Sequence, residues 1–116
     1  MSRKISKELS EHIIALQHLI EKYPKMIARY VNWMEKDGEI TELEKNIFMS
    51  KHGMVGPEFK PMNFSMISCC LNRLNKNLTE QEVITTYNTA VIKIVKDMVK
   101  SPHEKLMENL SNTKNL

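Results

Sequence analysis

The chain has 116 residues, of which 41% are hydrophobic and 27% charged. That length predicts one domain with one hydrophobic core, and no apolar run approaches the ~20 residues that cross a bilayer. Seventeen Lys and Arg against 14 Asp and Glu leave a net charge of +3. Residues 1–60 carry ten basic and nine acidic side chains and residues 61–116 seven and five, so neither half is the strongly basic surface that non-specific DNA binding requires. The basic start is followed at once by Lys7, Glu8 and Glu11, where a signal peptide needs an apolar stretch. The chain is therefore expected in the cytosol.

Ile5, Leu9, Ile13, Leu16, Ile20 and Tyr23 recur every three or four residues and predict a first helix, with Ser6 as its cap. Pro24 lacks a backbone donor and forces a kink or tight break near Tyr23, after which Ile27, Tyr30, Val31 and Met34 continue the stripe. Asp37-Gly38 predicts a stop, because Gly accepts the left-handed conformation that closes helices. Thr41 and Glu44 have capping-box spacing and predict a helix over 41–52 with Leu43, Ile47 and Phe48 inward. Gly53 ends it, and residues 53–62, with two Gly and two Pro, form the one substantial predicted loop. Asn63 caps a helix whose inner side is Met66, Ile67, Cys70, Leu71 and Leu74. A polar turn of Asn72, Asn75, Lys76 and Asn77 follows, and then a second capping box, Thr79 with Glu82.

From there to about residue 101 runs a long helix, about 34 Å at 1.5 Å per residue. Its Ile84, Tyr87, Val91, Ile94 and Met98 step by 3, 4, 3 and 4 and predict a packing seam, widened by Val83, Ala90, Val95 and Val99. Ser101-Pro102 opens a last short helix with Leu106, Met107 and Leu110, and 111–116 is a frayed tail. The expected fold is an all-α compact bundle of four to six helices, one domain over 1–110, with 79–101 as its spine. The apolar positions exceed what a monomer of this size needs. A homodimer through the seam at Ile84, Tyr87, Val91, Ile94 and Met98, or through the Met-rich loop, is expected.

Enzyme signatures are missing. There is no phosphate loop, G-x-S-x-G or H-E-x-x-H, and no His has a Glu three residues before it. No catalytic role, cofactor or metal is expected. Aligned on Gly38, residues 33–44 partly match a calcium loop, but Trp33 occupies the first ligand position and cannot bind a hard cation. Helix 41–52 and Gly53 match the start of a helix-turn-helix, but Pro57 and Pro61 prevent a recognition helix at the required distance. Cys69 and Cys70 are adjacent, which disfavours a mutual disulfide, and read as two buried hydrophobes or one buried and one free.

What remains points to recognition of another protein. Nine methionines are the compositional oddity, and Met49, Met54 and Met62 cluster around the 53–62 loop with Phe48 and Phe59. Trp33, beside the Asp37-Gly38 turn, is either a lid on the core or an interface anchor. The expected activity is docking and occlusion, as a regulator, adaptor, chaperone or inhibitor. Trp33, Phe48, Met54 and Phe59 would be apolar anchors, and Glu35, Asp37, Glu39 and Glu42 would steer a basic partner surface. Abundant Lys, Asn and Ile with few Arg suggest an AT-rich gene of a bacterial accessory or phage protein, by association alone. The alternative is a transcription regulator that holds nucleic acid with Arg3, Lys4 and Lys7, aided by Lys93, Lys96 and Lys100. No membrane partner is expected.

Overall fold

Each break in the helical pattern has a local cause. The computed structural model describes residues 7–54 and 60–99, and these form five helices and no strand. They are α1 (Lys7–Lys22), α2 (Pro24–Lys36), α3 (Glu42–Lys51), α4 (Phe64–Arg73) and α5 (Glu80–Met98). The fold is an all-α bundle, as the periodicity predicts. Ser6, the 102–110 segment and the 111–116 tail lie outside the described residues.

Pro24 breaks the first stripe into two helices. It occupies the first turn of α2, where its missing donor costs nothing, and Tyr23 leaves helical geometry at φ −133° and ψ 59°. Three helices then close in the same way. The residue after each carboxyl cap has positive φ: Gly38 at 80°, Gly53 at 67° and Asn75 at 63°. The following amides of Glu39, Met54 and Lys76 donate to the carbonyls of Met34, Met49 and Leu71 at 2.8, 2.8 and 2.9 Å, completing Schellman motifs. Both capping boxes form with reciprocal bonds, Thr41 with Glu44 and Thr79 with Glu82, and Asn63 Oδ1 accepts from the Met66 amide at 2.8 Å.

Helix α5 is the spine, packing on α1, α3 and α4. One core cluster joins Leu16 and Ile20 of α1, Ile27, Val31 and Met34 of α2, Phe48 and Met49 of α3, and Ala90, Val91, Ile94 and Val95 of α5. A second joins Ile47, Ile67, Leu71 and Val83 at the amino end of α5. Tyr87 packs against both.

This packing corrects two expectations. Val91 and Ile94 are buried in the cluster shared with α1, α2 and α3, with Tyr87 and Met98 packed beside them, so these seam residues pack inside the chain. Ile84, the remaining seam residue, is half-buried. Val99, which the pattern adds to the seam, is exposed beyond the helix end.

Candidate protein-docking groove

Helix α4 lies at the edge of the bundle, packed on α3 and α5. Its inner side is Ile67, Ser68 and Leu71. The Ser68 hydroxyl donates to the Leu78 carbonyl at 2.7 Å and ties the α4–α5 turn to the helix. Three residues expected on that inner side are outside instead: Met66 is 50% and Leu74 67% exposed, and Cys70 is exposed with its neighbour Cys69. The physical reason is width. Among the described residues α4 has two neighbouring helices, and residues 66, 67, 70, 71 and 74 span a broader arc than two neighbours cover.

Between α3 and α4 this leaves an open groove of about 650 Å³. Ile47, Ile67 and Leu71 form its floor, Met66, Cys70 and Leu74 one rim, and Asn46 and Ser50 the other. Lys60, Pro61 and Met62 line it before α4 begins. That approach is pinned by the Met62 amide, which donates to the Ser50 carbonyl at 3.1 Å, and by the crossing at Gly53, where a Cβ would lie 2.7 Å from the Pro61 nitrogen. A second hollow of about 220 Å³ lies between α1 and α5, lined in part by Ile13, Gln17, Tyr87 and Asn88. It is smaller than the ~300 Å³ at which ligand pockets begin.

The predicted docking residues are not one patch. Phe48 is 0% exposed, enclosed by core residues from three other helices, so it supplies no anchor to a partner. Met54 is half-buried against the same core, and Phe59 lies outside the described residues. Trp33 is 50% exposed and stacks on Tyr30 with ring centroids 5.9 Å apart. The Tyr30 hydroxyl donates to the Asp97 carboxylate near the end of α5. Helix α4 packs on Val83, fourteen residues earlier on α5, which is about 21 Å away at 1.5 Å per residue. Trp33 and the groove therefore sit toward opposite ends of the spine.

Of the acidic set, Asp37, Glu39 and Glu42 are exposed, whereas Glu35 accepts from Lys45 Nζ at 3.2 Å. Glu44 is buried, holds the Thr41 amide, and accepts from Lys93 Nζ at 3.0 Å. Burial pushes its carboxyl up, but the Thr41 amide and Lys93 outweigh that and hold it below the usual range. Within the calcium-like segment, Glu35 and Glu44 are thus engaged by lysines of neighbouring helices. Among the described residues no group of three or more His, Cys, Asp or Glu is placed to hold a metal ion, and no helix is long and apolar enough to cross a membrane. Of the nucleic-acid set, Arg3, Lys4 and Lys100 lie outside the described residues, Lys7 and Lys96 are exposed, and Lys93 is committed to Glu44.

One polar pair was not legible in the sequence. His52, the carboxyl cap of α3, and Tyr87 of α5 share a hydrogen bond of 2.6 Å between Nε2 and Oη. Phe48 and Phe64 pack around them, with ring centroids 6.0 and 5.3 Å from that of Tyr87. Desolvation, then the Lys51 charge, pulls the imidazole down to about 4, and desolvation pushes the phenol up to about 12. Both groups are neutral near pH 7, and the pair ties α3 to α5. No spacing rule links residues 35 apart, so it had no local signal.

Compared with family models, curated proteins and solved structures, the chain matches none.

Proposed function

We propose that the protein is a small cytosolic binding module that docks on a partner protein through the α3–α4 groove and occludes part of that partner. The observation that carries this reading is the position of Met66 and Leu74, large apolar side chains left half or more exposed above an apolar floor. Monomeric domains rarely leave contiguous apolar surface without a use, and large apolar side chains beside a pocket are the usual centre of a protein interface. Neighbouring thiols and a methionine rim make the surface adaptable in shape. The activity we propose is association, with no bond made or broken.

Retention of proteins from an extract of the native host tests the reading. Wild-type protein should retain a partner that a Met66→Glu/Leu74→Glu variant loses, with the variant's circular dichroism unchanged. Equal retention by both, or loss on Trp33→Ala instead, contradicts it.

A further inference from the structure

The groove's surroundings also bear on what fills it, and this inference rests on the docking reading above. We propose that its occupant is an amphipathic helix whose apolar stripe is flanked by carboxylates.

Shape is the first reason. A small ligand is normally covered over most of its surface by its pocket. Here the groove is open, and the rim residues Met66 and Leu74 stay half or more in solvent, so the occupant must bring its own cover. A helix does so, laying side chains at i, i+3 or i+4 and i+7 along an apolar trough while its outer face stays wet. Met66 and Cys70 of α4 and Leu74 at its carboxyl cap lie about one turn apart, eight steps from first to last, about 12 Å. Two turns of a facing helix match that length.

Charge is the second reason. From Lys60 to Thr79 there is no Asp or Glu, but Lys60, Arg73 and Lys76 are all present and exposed. Arg73 follows Met66 by seven residues and Cys70 by three, which places it on the same outward side of α4. Lys51, at the end of α3, holds its ammonium 5.0 Å from the centre of the Phe64 ring at the start of α4. On α3 the acid on the groove side is Glu42, one turn before Asn46. An apolar groove with Lys60 in its lining and the exposed Arg73 and Lys76 just outside it favours a partner with an apolar stripe and acidic flanks, and these charges speed that partner's approach.

The same features weigh against two other occupants. A second copy on the same face would bring a second Lys60, Arg73 and Lys76 into the interface with no acid between Lys60 and Thr79 to pair with them, because a two-fold interface buries the same patch twice. A nucleic-acid backbone would meet Lys60, Arg73 and Lys76 but leave the apolar Met66 and Leu74 uncovered.

Selection of random peptides of about 16 residues, long enough for four helical turns, tests the proposal. The full chain serves as bait, with counter-selection on Met66→Glu/Leu74→Glu. Should that pair lower the melting temperature, Met66→Gln/Leu74→Gln replaces it. The surviving peptides should be apolar at i, i+3 or i+4 and i+7, richer in Asp and Glu than the starting pool, and should gain helical circular dichroism when bound. A Lys60→Glu/Arg73→Glu bait should bind them about tenfold more weakly, the size expected of rim charges acting together. Survivors that are neutral or basic, or that bind without becoming helical, overturn the acidic-helix proposal and leave the docking reading standing. An absence of survivors overturns both. Sedimentation of the full chain as a dimer that Met66→Glu/Leu74→Glu dissociates also overturns the proposal, since a second copy then fills the groove.

Discussion

His52 Nε2 and Tyr87 Oη meet at 2.6 Å where the two core clusters join. Unfolded, His52 takes its proton near the ordinary value of 6.5; folded, it does so near 4. The unfolded chain therefore binds the proton first as pH falls, and stability tied to this residue is present above about pH 6.5 and lost toward pH 4. Urea midpoints should be flat from pH 7 to 8 and decline below 6.5, and His52→Gln should remove part of that decline.

Replacing Tyr87 with Phe keeps the ring contacts and deletes the hydroxyl. Because His52 is only partly buried, the cost should be about 1 kcal/mol, at the low end for a lost partner. The acid decline should persist, since burial and Lys51, rather than the phenol, hold the imidazole down. Urea denaturation of Tyr87→Phe at pH 7 and pH 5 checks both statements.

Glu44 and Lys93 give a second acid limb, at lower pH. With its carboxyl held below 4.5, Glu44 adds stability above that value and loses it as pH falls further. Lys93→Met should cost about 1 kcal/mol at pH 7, because the lysine is partly exposed. It should also shrink this acid limb, since burial then faces less opposition and the folded carboxyl lies closer to its unfolded value. Thr41→Ala and Thr79→Ala, which remove capping bonds, should each cost about 1 kcal/mol. Thermal melts across pH 3 to 7 test the series.

The elements fixed by short-range spacing were legible in the sequence, because their causes lie within three or four residues. Thr41 with Glu44, Thr79 with Glu82, Asn63, Pro24, Gly38 and Gly53 all act where the pattern puts them. What periodicity omits is the identity of the neighbour. It shows that Val91 and Ile94 share a face, but not that this face joins the core shared with α1, α2 and α3 of the same chain. It groups Met66, Cys70 and Leu74 with Ile67 and Leu71, but does not show that α4 stands at an edge where the first three are left outside. Phe48 reads as inward from its spacing and as an anchor from its loop neighbours, and the packing decides for the core.

The two left-handed glycines should respond unequally to a methyl group. At Gly38 nothing lies within 4 Å of an added Cβ, so Gly38→Ala should cost about 1–2 kcal/mol for the conformation alone. At Gly53 the Cβ would press on the Pro61 backbone at 2.7 Å. Gly53→Ala should therefore be clearly more destabilising in urea, and it should displace the Lys60–Met62 wall and weaken any groove ligand. Equal costs at the two sites would remove the crossing from the account.

Phe48→Ala and Met66→Ala separate core from surface. The first empties a fully enclosed site and should cost about 3–5 kcal/mol; the second trims an exposed rim and should stay within about 0.5 kcal/mol. Urea denaturation of the pair reads the difference directly.

The reaction of Cys69 and Cys70 with a maleimide in the native protein, followed by mass spectrometry, tests the open outer face of α4 most directly. Both thiols are exposed, and Cys70 lines the groove. Modification of both under native conditions, slowed at Cys70 by a bound groove peptide, is the predicted result. Thiols that stay unmodified until the protein unfolds would mean this face is already covered, and would contradict the account.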